Sequence, residues 1–348
     1  MVSDKGPWLR AAIAGGALLA SLAAAVAADK VSVGITNAST DIGLFIADAK
    51  GYFKQEGIDV SFTPFDSAAR MIAPLGAGQL DVGGGAASSG LYNAVERGIN
   101  LKIVADKGRN APGYAFQSFM VRKALFDKGE IKSLKDLKGR KVAIVAPASS
   151  DASVLNEALK SVGLAFNDVE KVFLGFPQQL PAFQNGAIDG AITTEPTVSA
   201  MIKTGAAVRL TGNDAFYPNH QTAVILYGGE FATKRAEVGK RFMKAYVRAL
   251  RDYADALKEG RLAGKGADEI VAIMARYSNI KDPETIRGMT PHGADPNGGL
   301  NVDSLKKDWE FFRADGQVKG NVTVEQVLDR SFVEAALKEL GPYKPAGR

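Results

Sequence analysis

Short apolar runs alternate along most of this chain with stretches where apolar residues recur every three or four positions. The runs predict buried strands and the stretches predict amphipathic helices. Their alternation predicts an α/β fold, a largely parallel sheet flanked by helices. Strands are expected at residues 31–35, 60–62, from 80 onward and at 101–104. Between the first two, Ile42, Phe45, Ile46, Ala49 and Phe53 fall at helical spacing, and Gly57 marks the stop. A second series follows at 142–145, 172–174, 188–193 and 208–210, with a helical stripe of Val154, Leu155, Ala158, Leu159 and Val162. Two further apolar runs, 116–121 and 223–227, flank the second series. The remainder reads as helical: Phe242, Tyr246, Leu250, Tyr253 and Leu257 form one long stripe. Asp303 or Ser304 is placed to cap a helix carrying Leu305, Trp309 and Phe312, and Thr323 with Gln326 has the spacing of a capping box.

The two series echo one another in detail. Ala38-Ser39-Thr40-Asp41 follows the first strand, and Ala148-Ser149-Ser150-Asp151 follows the first strand of the second series. Phe62-Thr63-Pro64-Phe65 pairs with Phe173-Leu174-Gly175-Phe176. Leu75-x-x-Gly78-x-Leu80-Asp81 pairs with Phe183-x-x-Gly186-x-Ile188-Asp189. The partners stand about 110 residues apart and keep one order, the sign of two lobes built on one plan. Two lobes create a cleft, a common seat for a small ligand. The second lobe reads as an insertion into the first. Lobe 1 is expected at 28–117 and 223–348 and lobe 2 at 118–222, with the two flanking runs as crossings.

Composition narrows the class. The 348 residues are 46% hydrophobic and 23% charged, as in folded globular proteins. The net charge of +5 is scattered, with no basic run interleaved with aromatics, which argues against nucleic acid as a partner. Residues 1–27 have the layout of a secretory signal. Lys5 and Arg10 precede an uncharged Ala-rich run, and Ala25-Val26-Ala27 fits the small-x-small cleavage pattern, so a mature chain is expected to start at Ala28. There is no cysteine, which excludes disulfides, thiolate nucleophiles, cysteine metal sites and a lipidated N-terminal cysteine. An exported chain without such an anchor fits a periplasm.

Candidate chemistry follows from the expected fold. Ligands of open α/β sheets lie beyond the carboxyl ends of the strands. That rule selects Asn37, Ser39 and Thr40 after the first strand, Asp66 and Ser67 after the second, and Ala86 and Ser88 after the third. In lobe 2 it selects Ser149, Ser150, Asp151 and Glu195. Helices begin at the Ser/Thr/Asp clusters, where free backbone N–H groups favour an anion; ordinary capping explains the same residues singly. Glu195 is suited to accept from a ligand amine, to brace the hinge, or to stand in solvent as loop carboxylates commonly do. Lys107 and Arg109 are the candidate cations of the cleft, on a loop expected at 106–109. Tyr114, Phe116, Phe65 and Phe176 are candidate walls. Asp81 and Asp189 read as structural. Catalytic signals are sparse: two histidines, His220 and His292, with no metal-ligand spacing, no nucleophile elbow and no phosphate loop. Gly83-Gly84-Gly85 lacks the third glycine of a dinucleotide fingerprint. His220, beside a crossing strand, reads as a hydrogen-bonded structural residue. No cofactor and no metal is expected.

The stretch Ala47-x-x-x-Gly51-Tyr52-Phe53-x-x-x-Gly57-Ile58-x-Val60 resembles a signature of the nitrate/sulfonate/taurine and thiamine-precursor binding proteins (NMT1/THI5-like), the periplasmic solute receptors of ABC importers. Gly78-x-Leu80-Asp81-Val82, Leu134-x-Asp136-Leu137-Lys138-Gly139 with Val142-Ala143, and Glu195-Pro196 resemble three further elements of that family. The resemblance is good over 31–227 and loose beyond. It implies a type II periplasmic-binding-protein fold, two α/β lobes joined by two crossing strands, that closes on a small solute and docks on membrane permease subunits served by a cytoplasmic ATPase. By position it implies ligand contacts at Asn37, Ser39, Ala86, Ser88, Ser149, Ser150 and Glu195. The expectation is a monomeric receptor, not an enzyme, for a small organic anion such as a sulfonate or carboxylate. The alternatives are a pyrimidine, thiamine precursor or other amine-bearing solute, or an enzyme or sensor on the same fold.

Overall fold

The structure, a computed structural model, describes residues 27–147 and 149–345. The expected export segment, apart from its final residue, lies outside them, as does Ala148 of the second Ala-Ser-Ser-Asp cluster. Ten of the described strands form two five-stranded sheets. They are β1 (Asp29–Ile35), β2 (Ile58–Pro64), β3 (Val82–Gly85), β4 (Leu101–Asn110), β5 (Gln117–Arg122), β6 (Lys141–Ile144), β7 (Glu170–Phe173), β8 (Gly190–Thr194), β9 (Ala207–Gly212) and β10 (His220–Gly228). The first sheet runs β2-β1-β3-β10-β4 and the second β7-β6-β8-β5-β9. In each, the first three strands are parallel and the fourth is antiparallel to both neighbours. Replacing β1, β2, β3, β10 and β4 by β6, β7, β8, β5 and β9 converts one order into the other. The repeat in the sequence is thus a repeat in space.

The recurring aspartates show the same plan. Asp81, just before β3, accepts from the backbone N–H of Ser32 on β1 (2.9 Å) and from Arg235 (2.8 Å). Asp189, just before β8, accepts from the backbone N–H of Lys141 on β6 (3.1 Å) and from Arg122 (2.5 Å). Each carboxylate ties the third strand of its sheet to the first, and both are structural.

The first sheet is covered by the long helix Ala236–Ala256, whose stripe of Phe242, Tyr246, Leu250 and Tyr253 is fully buried. Each such side chain removed from water contributes about 2 kcal/mol, so this face anchors the C-terminal third of the chain to the sheet. Lobe 2 has its own apolar clusters on either side of its sheet, around Phe119, Leu155 and Ile192 on one face and Met120, Phe183 and Met201 on the other.

The structure corrects three expectations. The helix after β1 is split into Ile42–Ala49 and Tyr52–Gln55, because Gly51 adopts φ 70° between them. Residues 106–109 are strand, not loop: β10 pairs with β4 along nearly its whole length, past three irregularities of register. The helix Val302–Ala314 is capped by Asn301, whose side-chain oxygen accepts from the N–H of Ser304 (3.3 Å), not by Asp303 or Ser304. That helix also bridges the lobes. Asp308 accepts from Ser153 of lobe 2 (2.6 Å), Lys307 pairs with Glu157 (2.5 Å), and Phe311 meets Phe166 edge-on.

Candidate functional site

A cavity of about 70 Å³ opens between the two sheets. Its walls come from the loops after β1 (Thr36, Ala38, Thr40), β2 (Ser67, Ala68, Ala69), β3 (Ala86, Ser88), β6 (Val145, Ser149, Ser150, Asp151) and β7 (Phe176). Thr194 at the end of β8 and the crossing residues Phe116, Gln117, Thr222 and Ala223 complete it. These are the carboxyl ends of parallel strands in both sheets, the seat that open α/β topology reserves for ligands.

Of the residues selected from the sequence, Thr40, Ser67, Ala86, Ser88, Ser149, Ser150 and Asp151 line this cavity. Asn37, Ser39, Asp66 and Glu195 do not. Asn37, in the left-handed region at φ 54°, and Ser39 line smaller clefts beside it. Asp66 stands two-thirds exposed at the mouth, in a loose pair with Arg70 (3.8 Å). Glu195 is buried, and its carboxylate is already occupied. It accepts from the N–H groups of Ser199 (3.0 Å) and Thr290 (3.3 Å) and faces Arg209 (3.4 Å). Burial raises its pKa, and these donors oppose the rise. Its backbone carbonyl accepts from the N–H of Ser39 (3.1 Å), a direct bond between the loops of opposite lobes.

The candidate cations are not in the lining. Lys107 is fully buried behind the cavity wall, paired with Asp41 (2.8 Å) and donating to the hydroxyl of Thr40 (2.8 Å). Arg109 donates to Asp106 (3.1 Å) and to the carbonyl of Gly299 (2.8 Å). The three glycines of β3 find their reason here. A Cβ at Gly84 would stand 2.7 Å from the Lys107 stem, and one at Gly85 would stand 2.5 Å from the Ala68 Cβ. They admit a buried lysine and a cavity wall against the strand rather than cradling a phosphate. Of the candidate aromatic walls, Phe116 and Phe176 line the cavity, Phe65 an outer groove at its mouth, and Tyr114 neither.

What remains in the lining is a set of neutral donors. The helices Ser89–Glu96 and Ser150–Lys160 both begin at the cavity, and neither Ser88 nor Ser149 caps its helix with its side chain. Helix starts of this kind present unpaired N–H groups and a positive dipole end. The buried hydroxyls of Ser88 and Thr194 have no partner. Because Thr40 accepts from Lys107, its own O–H is free to be donated elsewhere. Opposite this set stands one carboxylate: among the described residues of the lining, Asp151 is the sole charged side chain. It accepts from Gln117 (2.9 Å) and, weakly, from the N–H of Val145 (3.3 Å), and burial pushes its pKa up to about 6.

Sequence reasoning missed Gln117 and Thr222. Both are polar residues at the cleft end of an otherwise apolar crossing strand, and that polarity was the available signal. Gln117 also bonds Asn110 (3.3 Å) and Asn213 (2.9 Å), and Asn110 bonds Thr222 (3.1 Å). His220 closes the same network. Its ring meets Thr222 (3.3 Å) and Asp308 (2.9 Å), so it is a hydrogen-bonded hinge residue outside the cavity. His292 is buried against Tyr253, and burial lowers its pKa to about 3. No group of residues able to hold a metal occurs among the described residues, and none of their helices is long and apolar enough to cross a membrane.

Two five-stranded lobes of this topology, linked by two antiparallel crossings around an interlobe cavity, define the periplasmic-binding-protein class. Solved structures agree on the fold. The periplasmic nitrate-binding protein of Synechocystis PCC 6803 superposes with a TM-score of 0.74 at 14% identity, covering 90% of this chain and 89% of that one. The alkanesulfonate-binding protein of Xanthomonas axonopodis pv. citri, solved bound to MOPS, gives 0.66 at 19% identity, covering 88% and 99%. In sequence, the chain is 30% identical over 240 residues to the taurine-binding periplasmic protein of Escherichia coli K12, covering 68% of this chain and 71% of that one. The family described as NMT1/THI5 like matches residues 38–258, and the chain belongs to it.

Proposed function

We propose that this protein is an extracytoplasmic solute receptor of an ABC importer, which takes up a small organic anion, a sulfonate or carboxylate, and presents it to permease subunits. The observation that carries this reading is the cavity itself. Donors from both lobes converge on it: the starts of two helices and the unpartnered buried hydroxyls of Ser88 and Thr194. Buried hydroxyls without partners cost about 1–3 kcal/mol each, and an anionic ligand would satisfy them. Lys107, one layer back and paired with Asp41, donates to the Thr40 hydroxyl and leaves that group's own O–H for the ligand. The relatives named for taurine, alkanesulfonates and nitrate support the same class. No histidine or lysine of the described lining stands by to activate a hydroxyl, which favours uptake without chemistry.

The receptor acts in the periplasm, as its relatives' names suggest, after removal of residues 1–27, and works as a monomer. We assign residues 28–117 and 223–348 to lobe 1 and 118–222 to lobe 2. The test is a thermal-shift screen of residues 28–348 against sulfonates, carboxylates, nitrate and pyrimidines. A ligand that binds only the folded state raises the melting temperature with the logarithm of its concentration over Kd. A selective shift by sulfonates or carboxylates, lost in the Ser149→Ala/Ser150→Ala double variant while the unliganded melting point holds, is the expected result. Shifts by pyrimidines alone would replace the ligand class, and an unchanged shift in the double variant would remove those serines from the site.

A further inference from the structure

The two helices that open on the cavity are gripped from behind by one segment of chain that contributes no residue to the lining. On the side of the first sheet, Leu305 and Phe312 of the helix Val302–Ala314 share an apolar cluster with Leu91 and Tyr92 of the helix Ser89–Glu96. The chain that follows stays on that helix. Asn93 donates to the carbonyl of Gln317 (2.8 Å) and accepts from the N–H of Lys319 (3.1 Å), and Glu96 accepts from the N–H groups of Asn321 and Val322 (2.9 Å each). Trp309 donates to the carbonyl of Val322 (2.9 Å), which ties this tail back to its own helix. On the side of the second sheet the grip is the buried carboxylate of Asp308. It accepts from Ser153 (2.6 Å) and Tyr217 (2.9 Å) and meets the ring of His220 (2.9 Å). Ser153 lies three residues, about 4.5 Å along the axis, from Ser150, where the helix Ser150–Lys160 opens on the cavity.

We infer that Asp308 is the positioning residue of the anion site: through Ser153 it sets the spacing between the two helix starts, so that donors from both lobes reach one anion together. This rests on the anion site proposed above and adds what holds its two halves in register. Hydrogen bonds weaken steeply away from their preferred length and angle, so two helix ends on separate lobes share one anion only at one separation. Two crossing strands alone leave lobes free to rotate about them. The helix Val302–Ala314 adds a third connection, which runs between the two donor helices themselves. Its bond to Ser153 is costly to break, because Asp308 would be left as a buried charge short of a donor. Lys307, paired with Glu157 one turn further along the helix Ser150–Lys160, holds the same alignment. The site is thereby organised before the solute arrives, which spares binding the cost of ordering it.

The spacing can be measured without a ligand. The chain has no cysteine, so Arg97→Cys and Lys160→Cys, at exposed positions by the ends of the two donor helices, take one spin label each. Double electron–electron resonance on unliganded residues 28–348 should give one narrow distance. Ser153→Ala and Asp308→Asn should each broaden it. Tyr227→Phe, which removes a buried hydrogen bond within the first lobe (2.8 Å to the carbonyl of Gly239), should not. Titration calorimetry of the unlabelled proteins, with methanesulfonate, ethanesulfonate, 2-aminoethanesulfonate and butyrate as probes, supplies the second readout. Ser153→Ala should weaken the tightest probe about fivefold, the scale of one net hydrogen bond, and Tyr227→Phe should leave it unchanged. An unchanged distance distribution in Ser153→Ala would overturn the brace and leave the anion receptor standing. A broadened distribution with unchanged affinity would overturn the positioning role. Binding of no probe to the wild-type protein would overturn the anion site and the positioning role with it. Ser153→Ala decides even if Asp308→Asn fails to fold.

Discussion

Asp151 is a buried carboxylate whose charge weighs against the folded state. Burial raises its pKa from the ordinary aspartate value of 3.8 to about 6 on folding. The folded state therefore binds the proton more tightly, and the associated stability is full below pH 3.8 and is lost as pH rises through 6. The shift corresponds to about 3 kcal/mol. Unliganded Asp151→Asn should therefore gain melting temperature relative to the wild type at pH 7.5, with the gain shrinking toward pH 4. Thermal melts of both proteins across that range measure it; a difference independent of pH would contradict the assignment. His292, held neutral by burial, acts in the opposite direction as pH falls but is common to both proteins and cancels. At this scale the sequence was partly legible. Ser88, Ser149, Ser150 and Asp151 followed from the rule that ligands lie beyond strand ends. Glu195, by contrast, was also a candidate to accept from a ligand amine, and nothing local shows that Arg209 and the Thr290 N–H, distant in sequence, occupy its carboxylate.

Secondary-structure elements were legible wherever a pattern was local. The ten strands lie where apolar runs predicted them, because the inner strands of a sheet covered on both faces are largely apolar. Ends set by distant partners were not. β4 continues through Asp106, Lys107 and Arg109, three charges that read as loop, because β10 pairs beside them and each charge finds a specific partner. The glycines of β3 follow the same logic. Gly85→Ala would press a methyl group into Ala68 at the cavity edge, at a distance no relaxed contact shows. The variant should lose about 1–3 kcal/mol to overpacking, read in chemical denaturation, and should narrow the cavity. Stability equal to wild type would mean that the Ala68 loop moves freely.

The whole molecule is two copies of one sheet plan held by crossings and by direct hydrogen bonds between the lobes. The Ser39 N–H to Glu195 carbonyl bond and the Arg209–Thr290 bond (3.2 Å) join opposite lobes without touching the cavity. Closure in such proteins is favoured by whatever binds the closed form better. Arg209→Ala should therefore weaken ligand binding by about fivefold, on the order of 1 kcal/mol, with cavity residues untouched. Small-angle scattering should show a more open average shape in that variant. Unchanged affinity and shape would remove the latch. The repeat made this architecture legible from sequence. The bridging role of the helix Val302–Ala314 was hidden, because nothing local links Asp308 and Lys307 to Ser153, His220 and Glu157, which meet them only in the fold.

The central claim is that neutral donors from both lobes hold an anionic solute between the sheets. The measurement that tests it most directly is titration calorimetry of a sulfonate and carboxylate series into residues 28–348 and into the Ser88→Ala/Thr194→Val variant. The account predicts one site per chain in the wild-type protein and at least tenfold weaker binding in the variant, with its melting point preserved. Equal affinity in the two proteins, or no binding of any member of the series, would contradict it.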